Sequence, residues 1–233
     1  MREFDAMVES GKPDYTPPLG HDVLTPLYDL VIRGLTREHV WRSALVQQAS
    51  PSSYDRILDV GCGTGTLALA LKRAAPEADI IGIDPDSRAL VRARSKVESA
   101  GQAIAFVQGF LSDAGLPDGW KPTKIVSSLM FHQVPLPAKA DILSTMRRML
   151  DIGGEIHIAD YGLQRDPLMR VLFRMTVQQL DGVTDTQPNA DGVMSRLISE
   201  AGLAVEETRV FRTVTGSISL FQAAPAPELR SDI

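Results

Sequence analysis

The sequence predicts a single α/β domain built on a doubly wound, mostly parallel seven-stranded sheet. Three observations support this. Short apolar runs alternate with stretches of helical period from about residue 56 to residue 161, a pattern that buries both faces of a parallel sheet. Two of these runs, Ile57-Leu58-Asp59-Val60 and Asp79-Ile80-Ile81-Gly82-Ile83-Asp84, carry an acid at or near their carboxyl end, where the chain turns towards a helix. Near the end of the chain, two β-rich runs at 204–211 and 213–221 are separated by almost nothing and so form an edge hairpin. Composition agrees: 233 residues, 44% hydrophobic and 23% charged, suit one α/β domain with a modest appendage and exclude disorder or coiled coil for the body.

Residues 1–50 read as a cover segment. Glycine, proline and charge dominate the first twenty or so residues, with Pro17-Pro18-Leu19-Gly20 as a hinge. Helical spacing follows at 26–34 and at 36–48, where Val40, Trp41, Ala44 and Leu45 recur behind Thr36 as N-cap. The main domain, 51–222, then opens with a strand at 56–60 and a helix at 66–75 stopped by Pro76. A strand at 79–84, a helix from Pro85 to about Ala100 closed by Gly101, and strands at 103–108 and 124–129 come next. A helix at 137–150 ends before Gly153-Gly154, and a strand runs over 155–161. Within 162–190, Leu168, Val171, Leu172, Met175 and Leu180 share one helical face, which suits a lid or a permanently packed helix, with Asp181-Gly182 and Thr184-Asp185-Thr186 as turns. A helix around 191–201 precedes the hairpin, and Ala223 to Ile233 reads as a loose tail.

The chemistry concentrates at Asp59-Val60-Gly61-Cys62-Gly63-Thr64-Gly65-Thr66. Gly61, Gly63 and Gly65 allow a tight turn and close approach of a ligand to the main chain, while the helix opening near Thr66 offers unpaired N–H groups. The G-x-G-x-G spacing differs from the G-x-G-x-x-G of dinucleotide binders and lacks the lysine of a phosphate loop. Asp84 lies about twenty residues past the last glycine, the offset at which an acid meets ribose hydroxyls.

With the Leu116-Pro117 stretch and Leu150-Asp151-Ile152-Gly153-Gly154, these motifs resemble the class I S-adenosylmethionine-dependent methyltransferases, from about residue 54 to about 222. Ser127-Ser128-Leu129-Met130-Phe131-His132 and His157-Ile158-Ala159-Asp160-Tyr161 resemble, less specifically, the small-molecule enzymes related to those of quinone biosynthesis. The resemblance implies a Rossmann-like methyltransferase fold with S-adenosyl-L-methionine as cofactor and S-adenosyl-L-homocysteine as product. It places Asp59, Gly61, Cys62, Gly63 and Gly65 about the methionine end and Asp84 and Pro85 at the ribose. Where the class commonly has an acid for the adenine, this chain has Gly109 followed by Phe110, so Phe110 and Leu111 are expected at the ring, with Ser112 or Asp113 as polar contact. Ser128 is expected near the sulfonium. His132, with an ordinary pKa of about 6.5, is the candidate base or acceptor-orienting group, with Asp160 beside it. Met130, Tyr161, Tyr15, His21 and Tyr28 are candidates for the acceptor pocket, whereas His157 is expected to be structural and Cys62 a packing residue.

The net charge of −5, from 24 basic and 29 acidic residues, disfavours a nucleic-acid partner. No Asn/Asp-Pro-Pro-Tyr pattern follows the fourth strand, and no catalytic cysteine is available for pyrimidine C5 methylation. No metal site is expected. A single cysteine, no signal-like apolar stretch and no membrane-spanning run predict a cytoplasmic protein. The expected function is methyl transfer to a small organic acceptor through N, O or C. The alternatives are a non-catalytic S-adenosylmethionine or S-adenosylhomocysteine binding module acting through a protein partner and, disfavoured by loop spacing, a nicotinamide oxidoreductase.

Overall fold

The computed structural model describes residues 38–113 and 115–226. Seven strands among them form one sheet in the order β3-β2-β1-β4-β5-β7-β6. β1 (Arg56–Val60) lies in the middle, paired in parallel with β2 (Asp79–Asp84) and β4 (Lys124–Ser128). β3 (Ala105–Gln108) adds beside β2 and β5 (Glu155–Tyr161) beside β4, both parallel. The chain thus runs outward from β1 in one direction and returns to build in the other, which opens a crevice above the carboxyl ends of β1 and β4.

The central strands are near-continuous apolar runs because both sheet faces are covered. On one face, Ile57, Ile80, Val126 and Ala159 pack with Trp41 and Leu45 of α1 (Glu38–Ala49) and Leu67, Ala68 and Leu71 of α2 (Thr66–Ala74). On the other, Leu58, Ile81, Ile125 and Ile158 meet Leu143 and Met146 of α4 (Leu136–Met149) and Met194, Leu197 and Ile198 of α8 (Val193–Glu200). α3 (Ser87–Ser99) lies against β2 and β3. It starts two residues later than the sequence pattern predicts. Asp84 Oδ1 takes the Asp86 N–H at 2.9 Å, and Asp86 is the N-cap, accepting the Arg88 N–H at 2.8 Å.

The hairpin is present, and its position is informative: β7 (Gly216–Pro225) inserts antiparallel between β5 and β6 (Leu203–Thr213). Val214 and Thr215 make the turn, and the ladder shifts register between Glu207 and Arg209. The tail expected from Ala223 therefore starts later, because Ala223, Ala224 and Pro225 still pair with Val205, Ala204 and Leu203.

The 162–190 segment differs most from its sequence reading. It folds as α5 (Pro167–Met175), α6 (Val177–Asp181) and α7 (Val183–Ala190), so the expected turns at 181–186 are helix ends and one junction glycine, Gly182 at φ +82°. α5 rotates its other apolar face inward: Met169 and Phe173 are buried, while Leu168, Val171 and Met175 are exposed. Phe173 decides this by stacking 5.1 Å from the Tyr161 ring. α7 is held by Asn189 Nδ2, which donates to the Tyr161 carbonyl at 2.9 Å, and packs on the short turn Phe131–Gln133. The helix expected at 26–34, the Thr36 cap, Tyr15, His21, Tyr28 and the tail from 227 lie outside the described residues.

Candidate active site

The glycine loop is latched to β2 before it reaches any ligand. Gly61 and Cys62 N–H both donate to the Ile83 carbonyl, at 2.9 and 3.0 Å, and Gly63 N–H donates to Asp84 Oδ2 at 2.8 Å. Asp84 is thus pre-positioned by two backbone donors. Burial raises its pKa, and those two N–H groups work against the rise. Gly61 is required by its neighbour as well as by its φ of +67°, since a Cβ there would lie 2.5 Å from Met130 Cγ. Gly63 faces open space, with nothing within 4 Å of an added Cβ.

A cavity of about 1010 Å³ opens over this loop, large enough for a nucleoside-sized ligand and a second small molecule. It gathers nearly all the residues expected around the cofactor: Gly61, Cys62, Gly63, Asp84, Pro85, Phe110, Leu111 and Ser128, together with Met130. Ser112 and Asp113, in the turn Leu111–Asp113, also line it. Leu129, at the end of β4, has φ +51°, a left-handed conformation that turns the chain sharply along the cavity wall.

Other expected residues lie behind the wall. Gly65 caps α2, where a Cβ would meet Phe106 and Ala93 at 3.0 Å, so it serves helix packing. Asp59 is fully buried, on the α1 and α2 side of the sheet, and both carboxylate oxygens lack a hydrogen-bond partner. Burial pushes its pKa up to about 7, the Arg42 charge opposes this and Asp84 adds to it. It does not line the cavity, because strand alternation turns it to the same side as Ile57. Cys62 is buried with its thiol pushed far up by desolvation and by the Asp59 and Asp84 charges, which leaves no thiolate nucleophile.

His132 lies in the turn after β4, only 3% exposed, between two carboxylates. Its Nδ1 is 2.8 Å from Asp160 Oδ1, and its Nε2 is 3.5 Å from Asp181 Oδ2 at the end of α6. Burial alone would lower its pKa, but the Asp160 charge and hydrogen bond, with Asp181 behind them, outweigh it and hold the imidazole up at about 9. Gln133 Nε2 lies 3.3 Å from His132 Nε2, and the ring sits behind the cavity wall, where Gln133 and Asp181 stand between it and the cavity. Asp160 also accepts the Phe131 and Tyr161 N–H groups, at 2.7 and 2.8 Å, which makes it the anchor of the turn beneath the cavity. Tyr161 meets the His132 ring edge-on at 4.9 Å and shares a 2.8 Å hydrogen bond with Thr215. It is 4% exposed and does not line the cavity either, since β7 and α5 cover it.

Sequence reasoning missed Asp181, Asp185, Asp141, Gln133 and Arg42 on the cavity wall and Lys139 beneath it. Lys139 is fully buried, donates to the Asp185 carbonyl at 2.6 Å, and has its pKa lowered by burial to about 8 against the pull of Asp160 and Asp185. Lys139 stands at helical spacing from Leu143 and Met146, and that placement was the one signal the sequence offered. His157, as expected, is structural, 3.3 Å from Gln48 of α1 and pushed down by burial to about 4. Among the described residues no cluster of His, Cys, Asp or Glu can hold a metal, and no helix is long and apolar enough to cross a membrane.

The chain is similar to known proteins in sequence and in fold. Residues 57–154 match a family described as a methyltransferase domain. The chain is 38% identical over 159 residues to a demethylmenaquinone methyltransferase of Thermus thermophilus, covering 67% of this chain and 71% of that protein. It is 28% identical over 144 residues to a ubiquinone/menaquinone biosynthesis C-methyltransferase of Bdellovibrio bacteriovorus, 61% of this chain and 59% of that one. In fold it is similar to magnesium protoporphyrin IX methyltransferase of Synechocystis with bound S-adenosylhomocysteine, with a TM-score of 0.62, 15% identity, and 88% and 90% of the two chains covered. A glycine loop latched to β2, a pre-positioned Asp84 and a cavity of the right size fit S-adenosylmethionine as cofactor, and with these relatives the chain belongs to the class I S-adenosylmethionine-dependent methyltransferases.

Proposed function

We infer that the protein methylates a small, largely apolar acceptor that enters the cavity beside the end of β4. The carrying observation is the cavity itself: besides the loop and Asp84 it is lined by Leu129, Met130, Val134, Pro135, Ala138, Ile142 and Leu180, an apolar set that shares the wall with Gln133, Asp141, Asp181 and Asp185. The quinone acceptors named for two relatives are compatible with that wall. When bound, S-adenosylmethionine supplies a methyl group on a sulfonium, and transfer is an in-line displacement whose rate depends on alignment. The chain's own contribution is to hold the two reactants. The Asp84 carboxylate receives the ribose diol, the open face of Gly63 admits the methionine end, and Phe110 and Leu111 border the adenine. Ser128 and Met130 border the reacting groups, and the apolar part of the wall seats the acceptor.

The test is transfer of label from methyl-labelled S-adenosylmethionine into a fractionated cell extract, comparing wild type with Asp84→Ala. Label in the small-molecule fraction that disappears in the variant is the expected result, with affinity for S-adenosylhomocysteine falling at least about tenfold as a charged hydrogen-bond acceptor is lost. Label in RNA or protein would overturn the acceptor class. Intact cofactor binding with no label in any fraction would favour a binding module.

A further inference from the structure

The buried array Asp160–His132–Asp181 crosses from the sheet to the cavity, and its two ends differ. Asp160, at the inner end, is fully buried and has its oxygens occupied by the Phe131 and Tyr161 N–H groups and the His132 ring. Asp181, at the outer end, lines the cavity and keeps 18% of its side chain exposed. Structurally the arrangement is a carboxylate on the wall, met from behind by an imidazole that is itself held by a second carboxylate.

We propose that Asp181 is the catalytic carboxylate of the acceptor subsite, facing the nucleophilic atom and taking its proton as the methyl group arrives. The proposal rests on the methyltransferase reading above. In the transfer the acceptor atom bonds the methyl carbon as the carbon–sulfur bond breaks, with that bonding pair staying on sulfur. One unit of positive charge therefore moves from sulfur to the acceptor. A carboxylate beside that atom stabilises the new charge and accepts the acceptor's N–H or O–H proton, becoming a neutral carboxyl that returns the proton to water through the open cavity. His132 is the positioning residue. Buried and held at Nδ1 by Asp160, it meets Asp181 Oδ2 with Nε2 at 3.5 Å, beside Gln133 Nε2 at 3.3 Å, and so fixes Asp181 in one place before the acceptor arrives. The charged groups around the array are consistent with this: Asp160 from β5 and Asp181 from α6 flank the ring, Lys139 from α4 feels Asp160 and Asp185, and Asp185 lies on α7. The cationic lining residue among those described is Arg42, on α1.

Asp181→Asn keeps the shape and removes the charge. The experiment compares the variant with wild type in methyl transfer to the small-molecule fraction of the extract from pH 6 to pH 9.5, with S-adenosylhomocysteine affinity and the ring-nitrogen NMR titration of His132 read in parallel. The expected result is a loss of about a hundredfold at pH 7, within the usual range for a positioned proton acceptor. The loss should shrink as pH rises and the acceptor ionises by itself. Cofactor affinity should stay unchanged, and the His132 titration should move down from about 9 as one of its two carboxylates goes. Unchanged transfer at pH 7, or a loss by the same factor at every pH, would overturn the role of Asp181. An unlabelled wild-type reaction counts against the acceptor reading, a distinct failure.

Discussion

Gly61 and Met130 illustrate how a single absent methyl group shapes the cavity. A side chain at Gly61 has two obstacles, a φ of +67° and a Cβ position 2.5 Å from Met130 Cγ. Gly61→Ala is expected to store about 1–3 kcal/mol of backbone strain and to lower S-adenosylhomocysteine affinity about tenfold or more, read by calorimetric titration. Adding Met130→Ala removes the crowding and leaves the φ, so the double variant should recover part of the affinity. Full recovery would show that φ has no cost there, and no recovery would show that Met130 never pressed on the loop. The same residue-by-residue reading separates the predicted site in two. Gly63, Asp84 and Phe110 were legible because loop spacing and strand ends put them on one wall, whereas Asp59 and Tyr161 have the right residue types but are turned away by the alternation of their strands.

At the scale of elements, the α5–α7 stack shows where a one-dimensional pattern fails. α5 carries apolar residues on two faces, and period alone cannot choose between Leu168-Val171-Met175 and Met169-Phe173. The neighbour chooses: β5 and β7 present Tyr161 and Gly216, and Phe173 fills the space between them. Phe173→Ala should cost about 3–5 kcal/mol in urea unfolding, the usual price for emptying an aromatic core position. Leu168→Ala, at an exposed position, should stay within about 0.5 kcal/mol. Equal effects from the two variants would mean that α5 packs the other way round. The parallel strands, by contrast, were legible nearly to the residue: β2 and β5 have the predicted bounds, because each is a short apolar run between turn residues with no second face to choose.

For the whole molecule, buried ionisable groups give stability a pH dependence with separable windows. His132 titrates at about 9 in the fold against 6.5 unfolded, so its contribution is complete below pH 6.5 and is lost as pH rises towards 9. Asp59, raised from 3.8 to about 7, keeps its proton in the fold, and its contribution is lost between those values. His157, lowered from 6.5 to about 4, acts oppositely, its cost in the fold fading as pH climbs from 4 to 6.5. Lys139, lowered from 10.5 to about 8, likewise becomes less costly above pH 8. The clearest window for His132 is therefore pH 7 to 8, above the Asp59 range and below that of Lys139. There the thermal midpoint of the cofactor-free protein should fall with rising pH, and His132→Gln should flatten that slope while lowering the midpoint at pH 6.5. An unchanged slope in the variant would show that the imidazolium contributes no net stability.

The sequence by itself determined the fold class, the position of the crevice, the glycine loop that lines it and the acid at the end of β2. All four follow from local rules: the period of apolar residues, the glycine spacing, and the distance along the chain between two consecutive strand ends. Only the tertiary structure decided which end of the Asp160–His132–Asp181 array reaches the cavity. Asp160 and Asp181 are twenty-one residues apart in the chain, and their relation depends on how α6 comes to rest over the turn carrying His132. That resting place is set by Phe173, Asn189 and Lys139 meeting partners on β5, β7 and α7, long-range contacts whose geometry no local pattern contains.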